Sequence, residues 1–156
     1  MFNDYFDQVQ IQIEYVKRNN DPLLLNSFVN RRSKEGYTPL LLAAYRGNIK
    51  IIKLLIENGG DYRLTNKMGL SVLHMAAQGN QPSVIIYFKE KYDLDLNLKD
   101  NVGSTVLHWT CYSGSQDVLI LLMYYKVEIN IKDREGNTPL LLSIIFGKFL
   151  LIHRKD

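Results

Sequence analysis

The apolar positions of this chain fall into short helical stripes that return in phase. Leu40, Ala43 and Ala44 lie at i, i+3 and i+4, which is one face of a helix. Thr38-Pro39 precedes them as an N-cap followed by proline at the first helical position, where a missing N–H is harmless. Gly47 can adopt the left-handed conformation that ends such a helix. Ile51, Ile52, Leu54 and Leu55 then form the apolar face of a second helix, stopped by Asn58-Gly59-Gly60. The same wording recurs as GYTPLLLAA from Gly36, GLSVLHMAA from Gly69, GSTVLHWTC from Gly103 and GNTPLLLSI from Gly136, in steps of 33, 34 and 33 residues. A fixed period in this range marks one supersecondary unit copied along the chain, and no unit can bury its apolar faces alone. The pattern predicts helix pairs at 39–46 with 49–58, 72–78 with 82–91, and 106–112 with 116–125. It also predicts burial of Leu40, Leu73, Leu107 and Leu140. The extra residue of the second unit is expected in an outward loop between Lys89 and Asp95, because KEKYDLD is polar and loops tolerate insertions.

The two ends depart from the period. Phe6, Val9, Ile13 and Val16 predict one amphipathic helix over 6–18, resembling the outer helix of an incomplete first unit. Asn19-Asn20-Asp21-Pro22 breaks it, and Leu23 to Val29 is an apolar connection with room for a helical turn. At the far end Leu151-Ile152 match Ile51-Ile52, but Arg154-Lys155 stand where Leu54-Leu55 stood. The last helix is therefore a short charged cap, or the chain is cut within a unit. The second alternative is favoured, because Phe146, Phe149 and Ile152 would spoil the polar outer face that a soluble array needs.

Composition narrows the chemistry. The chain is 46% hydrophobic and 22% charged, ordinary for a soluble domain. It holds no apolar run of transmembrane length and no signal-peptide pattern. The single cysteine fits a reducing compartment, and a formal charge of +3 is too mild to argue for nucleic acid. No phosphate-binding glycine loop, zinc-ligand set or nucleophile elbow is present, so no catalytic residue, metal site or cofactor is expected. Cys111 takes an alanine slot on a packing face and is expected to be buried and inert. Arg31, Arg32 and Lys34 form a small basic cluster, read as solvated loop charge or as a match for an acidic partner.

From about residue 29 to 156 this wording resembles the ankyrin repeat, Asp-x-x-Gly-x-Thr-Pro-Leu-His-x-Ala-Ala-x-x-Gly followed by an apolar helix. Several phase marks carry the resemblance. Asn97 and Asn130 lie six residues before the next unit's glycine, and Asp100 and Asp133 lie three before it, with Ser33 and Asn66 in the equivalent slots. The resemblance implies an all-α solenoid of about four stacked helix-turn-helix repeats with β-hairpin finger loops. As a single domain it divides into an incomplete leading repeat at 1–33, full repeats at 34–66, 67–100 and 101–133, and a short or truncated repeat at 134–156. It implies that His74 and His108 bond backbone between adjacent repeats rather than serving as ligands or bases.

The resemblance also implies a concave groove lined by the finger loops and the first-helix face, which takes a partner protein or short peptide. The matching positions are Tyr37, Tyr45, Arg46, Met68, Leu70, Gln78 and Asn101, together with Tyr112, Ser113, Arg134, Lys34, Glu35, Lys67, Val102, Ser104, Glu135 and Asn137. Met75 and Trp109 follow their Leu-His pairs and are expected at the inner wall. The aromatic set of Trp109, Tyr112, Tyr45 and Tyr37 reads either as an interaction hot spot or, for Trp109, as a cover for the helices beneath it.

Residues 72–91, VLHMAAQGNQPSVIIYFKEK, and 103–118, GSTVLHWTCYSGSQDV, look like the ankyrin segment of Asp-His-His-Cys protein S-acyltransferases. In those enzymes the segment precedes a membrane-embedded catalytic domain and recruits substrates. Some members read proline-containing peptides with an asparagine and a tryptophan of neighbouring repeats, at the positions of Asn80 and Trp109 here. Asn80 also fills the slot of Gly47 and Gly114, which makes a left-handed turn its local reading. This chain has no Asp-His-His-Cys sequence and so lacks that chemistry. Two functions therefore stand: a non-catalytic interaction module, or the recruiting part of an S-acyltransferase. Both imply a cytoplasmic location without direct membrane insertion, at the cytosolic face of a membrane in the second case.

Overall fold

The computed structural model describes residues 3–18 and 21–147. Nine helices follow one another there: α1 (Asn3–Arg18), α2 (Pro22–Val29), α3 (Pro39–Arg46), α4 (Ile49–Glu57), α5 (Val72–Gln78), α6 (Pro82–Tyr92), α7 (Val106–Ser113), α8 (Gln116–Tyr124) and α9 (Pro139–Ile145). The short helices α3, α5, α7 and α9 stack in an inner row, each packed on the next. Behind them α4, α6 and α8 form an outer row, and α1 joins that row by packing on α4. The leading helix thus occupies the outer position that its apolar spacing predicts. The connection after it forms a full two-turn helix, because Asp21 caps it by accepting from the Leu23 and Leu24 N–H groups and Pro22 opens it.

Start and stop signals work repeat by repeat. Thr38 and Thr138 accept from the N–H groups of Leu41 and Leu141 at 3.2 and 3.3 Å. Gly47, Asn80, Gly114 and Gly147, at one phase of the repeat, all have left-handed φ values, 74°, 53°, 74° and 63°. Asn80 can stand among glycines because a short polar side chain tolerates that conformation best. Gly79 answers a different need: a Cβ there would come 2.0 Å from the Tyr45 carbonyl oxygen, so its absence sets how closely α5 approaches α3.

One continuous core runs through the stack. Leu40, Leu73 and Leu107 lie in it at 1%, 0% and 3% exposure, whereas Leu140 is 69% exposed. The expected burial of Leu140 is therefore corrected. Its three counterparts are covered by the repeat that follows, and among the described residues no inner helix stacks beyond α9.

The extra residue of the second repeat falls between Lys89 and Asp95 as expected, but the outward loop is corrected. Helices α4, α6 and α8 begin at the same phase, but the left-handed residue that ends α6, Asp93, comes one position later than Gly59 and Lys126. The insertion is absorbed in the last turn of α6 rather than in an outward loop. Added there, Tyr92 stacks 4.4 Å from the Tyr62 ring and 5.8 Å from Phe88, and Lys89 pairs with Asp93 across one turn. Apolar contact on the outer row decides the matter over loop polarity.

The finger loops are turns rather than two-stranded hairpins, with one isolated bridge between Lys99 and Thr105. Each loop is closed by its first side chain. Asn66 Oδ1 accepts from the Met68 and Leu70 N–H groups, Asp100 Oδ1 from Val102 and Ser104, and Asp133 Oδ1 from Glu135 and Asn137, all at 2.8–2.9 Å. Ser33 does the same for Glu35 and Tyr37 at 3.2 Å. Backbone donors held this way cannot join a strand ladder. Successive tips are tied instead by single bonds from Lys67 N to Glu35 O, Asn101 N to Met68 O and Arg134 N to Val102 O, at 2.9–3.0 Å.

Candidate interaction groove

The inner row and the finger loops face each other across a groove whose floor depends on buried histidines. In the second repeat His74 Nδ1 accepts from the Ser71 N–H at 3.2 Å and lies 2.9 Å from its hydroxyl, which caps α5. The other ring nitrogen then carries the proton and donates to the Ser104 carbonyl of the next loop at 3.3 Å. His108 repeats the arrangement, capped on Thr105 at 2.9 Å and donating to Asn137 O at 3.0 Å. Both rings are fully buried. Burial lowers the His74 pKa below 6.5 despite the nearby Asp100, so the neutral ring is the structural form. The expectation of backbone bonding between repeats therefore holds, and the floor is rigid and directional.

Above that floor the wall is aromatic. Trp109 and Tyr112 meet edge to face at 5.4 Å, and Tyr112 meets Phe146 the same way at 4.6 Å. With Val102, Leu142, Asp133, Glu135 and Asn137 they line a cavity of about 180 Å³. The Trp109 indole N–H donates to Asp100 Oδ2 at 2.8 Å, in the finger loop that leads into its own helix. The half-buried ring thus anchors the finger loop with its edge while bordering the cavity. Burial pushes the Asp133 carboxyl pKa up, but hydrogen bonds from the Asn137 side chain and backbone and the Glu135 backbone outweigh it and bring it below 3.8.

The other expected groove residues separate into three groups. Tyr45, Met68 and Tyr112 are exposed by 40%, 51% and 41%, and Arg46, Asn101 and Arg134 are exposed as well. Asn101 also ties two loops by donating to Lys67 O at 2.9 Å. Tyr37 and Gln78 are half-buried, Tyr37 against the core. Met75, Leu70 and Ser104 are the corrections, all buried: Met75, at 3% exposure, is part of the core, closed over on the central helix α5, which is flanked by α3 and α7. Asn80 is half-buried with its amide engaged. It donates to Asp117 Oδ2 at 2.8 Å and accepts from Val118 N at 3.2 Å, capping α8 from the preceding repeat. It lines a wider polar hollow of about 450 Å³ with Tyr45, Arg46 and Gln78, where the buried Ser113 hydroxyl has no partner.

Phe146, Leu142 and Asp133 belong to the aromatic cavity and were missed as groove residues. The period carried the signal: Leu142 is the counterpart of Trp109, and Phe146 stands in the slot of Arg46. Cys111 is buried as expected, and burial pushes its thiol up to about 11. Among the described residues no group of three His, Cys, Asp or Glu side chains could hold a metal, and no helix is long and apolar enough to cross a membrane. Arg154, Lys155, Phe149, Ile152 and His153 lie outside the described residues.

A sequence profile of three ankyrin repeats matches residues 13–100 and again 73–154. Palmitoyltransferase AKR1 of Lachancea kluyveri is 30% identical over 114 residues, 71% of this chain and 16% of that protein. Inversin of Canis lupus familiaris is 33% identical over 113 residues, 72% of this chain and 10% of its own length. The Notch-regulated ankyrin repeat-containing protein of Xenopus tropicalis is 41% identical over 66 residues, 41% of this chain and 58% of that protein. The chain thus spans a small part of the two longer relatives. Profile, period, histidine bonding and stacked helix pairs agree: this chain belongs to the ankyrin-repeat family.

Proposed function

We propose that this chain is a non-catalytic module that binds a segment of a partner protein along its concave groove. The observation that carries this reading is the aromatic wall. Trp109, Tyr112 and Phe146 form a contiguous edge-to-face series beside exposed Val102 and Met68. Aromatic residues around a cavity are where interface energy concentrates, and exposed apolar patches rimmed by polar groups mark binding surfaces. The rim here is polar: Lys34, Glu35, Lys67, Arg134 and Glu135 stand at the loop tips, all exposed. Recognition is of protein rather than nucleic acid, and it takes place in the cytoplasm without cofactor or metal.

The test is capture of a partner by cross-linking, compared across variants. Tyr112→Ser and Val102→Ser should lose the captured species, while Tyr124→Ser, which removes a 79% exposed ring from the outer row, should keep it. Equal capture by all three would refute the groove.

A second reading is favoured by the match to palmitoyltransferase AKR1 over 71% of the chain. In it the groove recruits substrates for a protein S-acyltransferase whose catalytic part lies elsewhere, at the cytosolic face of a membrane. Asn80 contributes there by holding α8 in place, with Trp109 and Tyr112 at the contact. Genomic sequence that runs in frame into membrane-spanning segments and an Asp-His-His-Cys motif decides for it; a stop codon directly after Asp156 decides against it.

A further inference from the structure

Resting on the groove reading above, we propose that the cavity at Trp109 takes a cationic side chain, lysine or arginine, from the bound segment. The cavity has two unlike walls. One is aromatic and aliphatic, made by Trp109, Tyr112, Phe146 and Leu142. The other is the last finger loop, which brings the Asp133 and Glu135 carboxylates to the same space. An apolar slot that ends on carboxylates suits a long aliphatic stem with a charged head, since such side chains lay their methylenes on apolar surface and keep the charge among polar groups. The aromatic faces add attraction for a cation, because each ring is negative over its face. A volume of about 180 Å³ fits one side chain rather than a folded element.

The neighbouring loop shows what this pair of carboxylates lacks. Asp100 stands in the same slot one repeat earlier, and its outer oxygen receives the Trp109 indole N–H at 2.8 Å. In the last repeat the counterpart of Trp109 is Leu142, which donates nothing. Asp133 Oδ2 receives only the Asn137 amide at 3.1 Å, and Glu135 Oε2 receives the same amide at a long 3.4 Å. The two ion pairs among the described residues, Arg63–Asp61 and Lys89–Asp93, lie elsewhere. Lys132 and Arg134 flank the two acids in the chain, but among the described residues no cation pairs with Asp133 or Glu135, and both residues line the cavity. Charge complementarity selects a cation over the proline or neutral apolar residue that an aromatic slot alone would accept.

Trp109 is the sole tryptophan of the chain, so its fluorescence reports on this cavity alone. The experiment selects binders from a random peptide library with the full chain and titrates them while following that emission. The selected peptides are expected to share one lysine or arginine and to shift the emission saturably. Replacing that residue by its uncharged counterpart, norleucine or citrulline, should weaken binding at least about tenfold. Asp133→Asn with Glu135→Gln should produce the same loss with unchanged thermal unfolding, because Asn66 makes the same two backbone bonds in its own loop. Peptides that shift the emission but tolerate the uncharged residue, or the double variant, overturn the cationic occupant and leave the groove standing. Peptides that leave the emission unchanged and survive Tyr112→Ala, or the absence of any enriched peptide, count against the groove itself. If binding appears only after Arg154 and Lys155 are replaced by serine, the chain's own tail is the occupant and the partner side chain is refuted.

Discussion

Helices α7 and α9 carry the same turn wording and meet different fates. In α7 the sequence LHWTC packs on both sides, with Leu107, His108, Thr110 and Cys111 all buried. In α9 the matching LLLSI is half bare, with Leu140, Leu141 and Ile144 at 69%, 42% and 56% exposure. Local sequence sets both helices equally well, through a threonine cap and an apolar stripe. Only the neighbour differs, which is what a quasi-one-dimensional stack implies: each repeat is stabilised by the interfaces on its two sides. The small residue at the close-approach position makes the same point. Ala44, Ala77 and Cys111 allow the next helix in, and Ile144 stands where they stand.

The largest effect expected from this contrast is at the repeated leucine. Leu107→Ala empties a packed site and should cost about 2–5 kcal/mol of unfolding free energy. Leu140→Ala should cost less than about 0.5 kcal/mol, the usual range for an exposed position. Chemical denaturation of the two variants checks this, and equal losses would show that α9 is covered.

His108→Leu comes next, because it gives α7 the residue that α3 and α9 hold in that slot. Thr105 can then cap α7 as Thr38 caps α3, but the Asn137 carbonyl loses the His108 donor and keeps only the Asp133 N–H at 3.0 Å. The expected loss is about 0.5–1.5 kcal/mol, the net worth of one hydrogen bond. The same substitution should loosen the last finger loop, read as faster amide exchange at Glu135 and Asn137.

Acid should act through His74. Its folded pKa lies below 6.5, so the unfolded chain binds more protons in the window below that value. Stability is then full above pH 6.5 and falls as pH drops beneath it. The groups facing the ring are Ser71, the Ser104 carbonyl and Asp100, and Asp100 limits the effect by favouring the charged form. Thermal melts from pH 7.5 to 5.5 should show the decline in the wild type and a flatter profile in His74→Leu.

Smallest is Cys111→Ala, which restores the residue of Ala44 and Ala77 and should cost about 1 kcal/mol or less. The thiol itself, held near 11 by burial, should react with a maleimide far faster in denaturant than in native buffer. Comparable rates would place α7 wrongly.

What the sequence discloses follows the same division. Helix starts, left-handed stops and the serine, asparagine or aspartate that closes each loop are local, and the period exposes them four times over. Contacts that cross between repeats without recurring are hidden. The Asn80 amide bonds Asp117 and Val118 in the next repeat, and no spacing rule points there. Met75 and Trp109 hold one slot, yet the first is sealed in the core and the second borders a cavity, because ring size and neighbouring side chains decide exposure. Polarity points the extra residue of α6 to a loop, while the aromatic contacts of Tyr92 with Tyr62 and Phe88 keep it in the helix. Phe146 was visible as a threat to solubility, and only its 4.6 Å approach to Tyr112 makes it part of a wall.

The central claim is that the concave face between finger loops and inner helices is where a partner sits. Amide chemical-shift mapping of the labelled chain, titrated with a peptide selected on it, tests this most directly. The predicted map has its largest changes at Met68, Asn101, Val102, Trp109, Tyr112 and Glu135, with α4, α6 and α8 silent. A map centred on the outer row, around Lys53, Tyr87 and Lys91, would contradict it.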